Sequence, residues 1–248
     1  QASAYALDQL EHLLASQTAP KETAAILIET VLGEGGYVVP PTSFMKGLRE
    51  ICDKHGIMLI FDEVQSGFGR TGKWFALEHF DVVPDIITAA KGIASGMPLS
   101  GVFTRADIMK KLDTGSIGGT YGGNAIACAA GVATIRAMRE EKMLENATDK
   151  GIQLMTGLRK LQEEYPQIGD VRGKGLMIGT EFIADGGGHA KTKQLVKDVI
   201  HAAEEKNLLL LSCGTYDSTI RWIPPLNVTS EQINEGLMIF GEALKEVI

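Results

Sequence analysis

Two side chains in this sequence stand where chemistry is usually done. Asp62 ends the apolar run IMLIF, and Lys91 follows the run DIITAA. Each run is short, Ile-rich and bounded by Gly or Pro, the pattern of a buried parallel strand. In open α/β sheets, ligands gather at the carboxyl ends of strands. A carboxylate and an amine delivered there together suit a cofactor that needs both. A lysine at such a strand mouth would lose solvation, which disfavours its charged form and makes it a candidate nucleophile toward a carbonyl.

A buried carboxylate is costly unless it meets a cation or several donors. A protonated pyridine nitrogen is such a partner, and pyridoxal phosphate enzymes use an Asp in this way. Alternation along the strand turns Glu63 away from Asp62. Val64 could then lie against a ring face, and Gln65 could bond a ring oxygen. Thr120 sits between Gly118-Gly119 and Gly122-Gly123. Backbone amides freed by glycine, with a hydroxyl among them, suit a phosphate.

The elements that must position these residues alternate in the first half of the chain. A helix is expected over 4–16, a strand over 24–30, and a helix capped by Thr42 or Ser43 and stopped by Gly56. Strands ending at Asp62 and near Lys91 flank a short helix over 74–80, and LSGVFTR reads as a further strand. Helices over 125–139 and 144–164 follow. Beyond them come a strand over 175–183, a turn at 184–190, a helix over 191–206, strands LLLLS and STIRWI, and a closing amphipathic helix over 229–247. The predicted fold class is α/β. The first part, 1–149, reads as a mostly parallel sheet between helices, and 150–248 as a smaller α+β domain.

Composition limits the function. The chain has 248 residues and a net charge of −7, with no basic run, so nucleic acid is not an expected partner. Cys52, Cys128 and Cys213 form no C-x-x-C, and the five histidines form no metal-binding motif, so no metal is expected. No apolar run approaches membrane length and no signal peptide opens the chain. The expected location is the cytoplasm.

Several separated motifs together resemble the class III, fold-type I pyridoxal phosphate aminotransferases, and within them the 4-aminobutyrate aminotransferase group. LIFDEVQSGFGRTG is similar to the family's cofactor signature, and the Lys of AAKGIASGMPLSG stands where the family has its Schiff-base lysine. GGTYGGN, IGDVRGKGLMIGTEF, LLLLSCG and IRWIPPL also match, in order. The resemblance implies part of the family's large cofactor-binding domain followed by its small C-terminal domain. It implies that Lys91 carries the cofactor and the proton, Asp62 pairs with the ring nitrogen, Val64 packs on the ring and Gln65 contacts the ring hydroxyl oxygen. Thr120 would bind the phosphate in the neighbouring subunit of a homodimer, and Glu29 would support the site from behind. Glu34 and Arg221 would form a specificity switch. Arg221 would receive the carboxylate of glutamate or 2-oxoglutarate, and Glu34 would mask it while an ω-amino substrate is bound. The implied activity is transfer of an amino group from an ω-amino donor to an oxo-acid acceptor.

The sequence departs from the family at Thr30, where many relatives have Pro, and at Ala125, where Pro usually follows G-G-N. Leu32 replaces the Gln of the 4-aminobutyrate enzymes, close enough to Glu34 to bear on the substrate. The family's phosphate loop and stacking aromatic lie N-terminal to the region matched here, so the chain by itself is not expected to be a competent enzyme. Two other readings follow from the same residues: a class III isomerase, which shares the Lys, Asp and Gln, and a non-catalytic fragment or partner chain. The pair Glu34 and Arg221 favours transamination, because an isomerase needs no second dicarboxylate substrate.

Overall fold

The computed structural model describes residues 1–184 and 186–248, which divide into two compact units. The first comprises residues 1–30, 40–68 and 73–140, and the second residues 31–39, 69–72 and 141–248. Two short stretches of the N-terminal half thus belong with the C-terminal unit. The expected turn over 184–190 includes Asp185, which lies outside the described residues.

The first unit is built on a sheet in the order β1 (Ala25–Glu29), β2 (Met58–Asp62), β3 (Ile86–Ala89), β4 (Gly101–Thr104). β1, β2 and β3 run parallel, and β4 is antiparallel to β3. A parallel return needs a long crossover, usually a helix. Between β3 and β4 there is only the 3-10 turn Lys91–Ala94, so the strand comes back antiparallel. The helix α2 (Thr42–His55) packs on β2, with Met45, Leu48, Ile51 and Cys52 buried. It ends at Gly56, whose φ of 69° is the left-handed cap that glycine adopts without strain. Its start differs from expectation: Pro41 is the N-cap and neither Thr42 nor Ser43 caps the helix. α1 (Ala2–Ser16) lies against α2 where Gly47 leaves room for Leu7.

The expectation of fully buried strands is only half met. Leu59 and Phe61 of β2 are fully buried, but Met58, Ile60 and Asp62, which alternate with them, are half-buried, and Leu27 of β1 is 63% exposed. Only alternate residues lie in the core, as on a strand with one face covered. Between β2 and β3 the expected short helix is a 3-10 turn over Ala76–His79. After β4 come α3 (Ala106–Met109) and α4 (Ala125–Glu140), and α4 packs on the turn that carries Lys91. The small residue Gly131 permits this approach, since a Cβ there would stand 2.9 Å from Leu99 and 3.4 Å from the Ile93 carbonyl oxygen.

The second unit is a four-stranded antiparallel sheet under three helices. Its strands are β5 (Ile168–Lys174), β6 (Met177–Phe182), β7 (Leu211–Cys213) and β8 (Thr219–Trp222), in the order β5-β6-β8-β7. The helices α5 (Met143–Glu164), α6 (His189–Glu205) and α7 (Ser230–Val247) share one apolar core with the sheet, including Leu154, Leu158, Ile178, Val196, Ile220 and Phe240. Thr229 caps α7 in a reciprocal box with Gln232. β5 was not foreseen from the sequence. It is polar, ends in glycine-containing GK, and slips register between Ile168 and Asp170, so it shows no clean period of two.

Close helix packing sets a stability prediction. A Cβ at Gly151 of α5 would lie 2.2 Å from the Gly175 carbonyl oxygen, where only backbone could yield. Gly151→Ala is expected to destabilise the protein by about 1–3 kcal/mol. Gly241→Ala in α7 would meet only Leu161, at an ordinary 3.4 Å, and should be neutral or stabilising by a few tenths of a kcal/mol, up to ~1. Urea unfolding of the two variants gives the comparison; equal losses would contradict this packing.

Candidate active site

The parallel strands of the first unit deliver three polar side chains in one row. Glu29 is in register with Asp62, and Asp62 with Thr88, at the carboxyl ends of β1, β2 and β3. Asp62 is half-buried and its Oδ1 accepts the Val64 N–H at 2.8 Å. Val64 and Gln65 follow in this turn, both half-buried. The side-chain oxygen of Gln65 is buried and has no hydrogen-bond partner among the described residues. A buried amide oxygen left unpaired costs stability unless a ligand or water meets it.

Lys91 lies past the end of β3, in the 3-10 turn that follows. Its φ is 43°, a left-handed conformation that is uncommon outside glycine and recurs at functional sites. The desolvation expected of it is not observed. The side chain is exposed, because the turn carries it beyond the strand mouth. Thr120 is exposed in the loop between α3 and α4, as are the glycines on either side of it. Asn124 closes that loop by accepting the Ala127 N–H at 3.0 Å.

Glu63 has a larger structural part than its neighbour. It is completely buried. Its Oε2 accepts from the Ser66 hydroxyl at 2.6 Å and the Ala76 N–H at 3.0 Å, and its Oε1 accepts the Leu77 N–H at 2.7 Å. Burial pushes its carboxyl above the usual carboxylate range, against hydrogen bonds that favour the ionised form. Thr30, also buried, bonds the Ser66 hydroxyl at 2.9 Å. Because Ser66 donates to Glu63, it accepts from Thr30, and the three form a directed chain. Thr30, which the resemblance marks as a departure, thus helps tie down the loop that carries Gln65.

The second unit holds the other two candidate residues. Glu34 and Arg221, 187 positions apart in sequence, form an ion pair through Oε1 and Nη1. The Arg221 side chain is 16% exposed and that of Glu34 69%. Burial alone would weaken the Arg221 charge, but the Glu34 carboxylate outweighs it and holds the guanidinium above its ordinary value. The backbone around Glu34 is anchored on both sides. Its carbonyl oxygen accepts the Gly214 N–H at 2.8 Å. The Gly36 carbonyl oxygen takes two bonds from Arg172, at 2.6 Å from Nη2 and 3.1 Å from Nε. Arg172 is itself held by Glu181 at 2.5 Å and Asp170 at 2.9 Å. In the same unit, Arg70 donates to the carbonyl oxygens of Pro224 at 2.6 Å and Leu176 at 3.1 Å.

The anchoring parts of Glu63 and Thr30 in the first unit, and of Arg172 in the second, are not foreseen from the sequence. Arg172 lies in the VRGKG motif that carried the resemblance, but its partner is the Gly36 carbonyl oxygen, and no residue type at position 36 signals that. For Glu63 a signal existed: a carboxylate directly after a buried run has to find several donors.

A family model described as aminotransferase class-III matches residues 1–244. The 5-aminovalerate aminotransferase DavT of Pseudomonas aeruginosa is 45% identical over 96% of this chain and 56% of its own length. The 4-aminobutyrate aminotransferase GabT of Escherichia coli is 44% identical over 97% of this chain and 57% of its own. Among solved structures, a transaminase from the marine bacterium Virgibacillus superposes with a TM-score of 0.91 at 33% identity, over 99% of this chain and 57% of that one. The chain thus spans a little over half the length of the curated relatives it matches.

The adjacent carboxylates Asp62 and Glu63 should respond differently to substitution. Glu63→Gln sets an NH2 group against backbone donors and is expected to cost about 1–3 kcal/mol of stability. Asp62→Asn keeps an oxygen for the Val64 N–H and should stay within about 0.5 kcal/mol. Thermal or urea unfolding decides; a Glu63→Gln variant as stable as the parent would show the anchor to be dispensable.

Proposed function

Because the chain belongs to the class III aminotransferases, we propose that it carries the catalytic lysine and the substrate switch of a transaminase. The donor would be an ω-amino acid of the 4-aminobutyrate or 5-aminovalerate type, and the acceptor a 2-oxo acid such as 2-oxoglutarate. The observation that carries this reading is the Glu34–Arg221 pair: a largely exposed carboxylate covering a largely buried arginine. An arginine recognises a carboxylate by two parallel N–H bonds. A reaction with two unlike substrates needs that arginine in one half and needs it covered in the other.

The family's cofactor is pyridoxal phosphate, which when bound supplies a sink for the electrons left by proton removal. The residues present fit it. The unpaired Gln65 oxygen suits a ring hydroxyl, and Asp62 stands at a strand end. Asp62 would hold a proton at the ring nitrogen, with Glu29 next to it in register. Val64 would exclude water from a ring face. Lys91, on its exposed turn, would take the proton from one substrate carbon and return it to another position. Thr120 is assigned to the phosphate bound by a second copy of the chain, which makes a homodimer part of this proposal. The exposure of its loop supports that assignment.

In the complete protein, Lys91→Ala should lower turnover by several orders of magnitude, since no other amine in the assigned set can carry the proton; near-normal turnover would remove Lys91 from the mechanism. The switch has its own test. Glu34→Ala leaves Arg221 uncovered in both halves. An uncompensated buried charge costs about 3–5 kcal/mol and less at a wet site, so kcat/KM for 4-aminobutyrate should fall about 10- to 100-fold. For 2-oxoglutarate it should stay within roughly threefold. Arg221→Ala should reverse this order. Equal losses for both substrates would contradict the switch, and turnover that needs no oxo acid would identify an isomerase instead.

A further inference from the structure

We propose that Tyr37 is a positioning residue for Arg221: its phenol oxygen accepts a hydrogen bond from the guanidinium when Glu34 lets go, which fixes the direction in which the remaining N–H groups face a dicarboxylate substrate. This rests on the transaminase reading above and concerns only the oxo-acid half of the reaction.

Tyr37 is completely buried, and its hydroxyl makes no hydrogen bond of ordinary geometry among the described residues, although the Arg221 guanidinium already stands close enough to favour its ionised form. The Nε of Arg221 is buried and equally without a hydrogen bond. Unpaired buried polar atoms are rare and costly. Here one is an acceptor and the other a donor. The sheet shows that they are neighbours. Gly179 of β6 is the register partner of Arg221 of β8, and partners across an antiparallel pair present their side chains on one face. Gly179 has no side chain, and Tyr37 fills that space: a Cβ at Gly179 would stand 3.0 Å from the Tyr37 Cβ. The tyrosine therefore lies directly beside the arginine.

The anchored backbone decides which of the two moves. Gly36, next in the chain to Tyr37, is held by Arg172 through its carbonyl oxygen. The ring is fixed by packing, whereas Arg221 is held at its free end by the exposed Glu34. When Glu34 leaves, the guanidinium can turn until its Nε–H meets the phenol. Burial pushes the Tyr37 hydroxyl up to about 12, so it meets Arg221 as a neutral acceptor throughout the physiological range. With Nε taken by the phenol, the terminal N–H groups are left for a carboxylate. With the phenol absent, the same guanidinium would be free to rotate and would bind the carboxylate less often in the right orientation.

The test is Tyr37→Phe in the complete holoenzyme, which removes one oxygen and keeps the ring. The expected result is a loss of roughly tenfold in kcat/KM for 2-oxoglutarate, the size of a hydrogen bond to a charged group, carried mainly by KM. The value for 4-aminobutyrate should change less than about twofold. Calorimetric binding of glutarate, a dicarboxylate that cannot accept an amino group, should weaken by a similar factor, and thermal stability should not fall. Gly179→Ala, whose Cβ would press on the Tyr37 Cβ and on Thr219 at 3.0 Å, should show the same selectivity. Arg221→Ala is the control. If it loses the dicarboxylate selectively while Tyr37→Phe does not, or loses both substrates equally, the role of Tyr37 is refuted and the switch stands. If Arg221→Ala itself shows no selectivity, the switch reading fails and this proposal with it.

Discussion

A buried arginine that must be open to a carboxylate in one half of a cycle needs a partner in the other half that is held nearby without being locked. The loop around Glu34 has this physical character. Its main chain is fixed by Gly214 and by Arg172, and the bridge between Leu32 and Val38 closes it. The carboxylate alone reaches out, 69% exposed, while Arg221 stays in the sheet. Opening such a pair requires rotation of one side chain and no rearrangement of the loop. Exposure of Glu34 also limits the strength of the pair, since a carboxylate in water attracts a cation far less than one in the core. The pair is therefore held without being locked, as the proposed switch requires.

The two carboxylates after β2 divide their work by the same rule of exposure. Asp62 is half-buried with one oxygen turned to its own loop. Glu63, on the other side of the chain, is consumed by the hydroxyl and amides that hold residues 63–77. Alternation of side chains along an extended chain puts them on opposite sides. The fold uses one to hold the loop and leaves the other at the strand end. Lys91, the proposed catalytic lysine, lies in a left-handed turn against which α4 packs.

Much of this was legible in the sequence, and the rest was not for reasons that can be named. Asp62 and Lys91 follow apolar runs, and runs of that kind announce a sheet and its carboxyl edge. The pairing of Glu34 with Arg221 came from resemblance, because a contact across 187 positions leaves no local trace. Arg172 and Tyr37 were missed since their partners are a main-chain oxygen and a neighbour across a glycine. Neither can be seen before register is known. β5 was missed because a bulge breaks its period, and the start of α2 was misplaced because Pro41, with its fixed φ, can open a helix without a side-chain cap. The antiparallel β4 followed from a connection too short to carry a helix, a constraint of length that composition does not show.

The most direct measurement of the central claim is a crystal structure of the complete protein with glutarate bound. The account predicts that the Glu34 side chain has turned away and that Arg221 binds a carboxylate of the ligand. The main chain at 33–37 should stay where it is, with the Gly36 oxygen still on Arg172. A structure in which glutarate binds while Glu34 remains paired with Arg221, or in which the loop moves and the Arg172 bonds are broken, would contradict it.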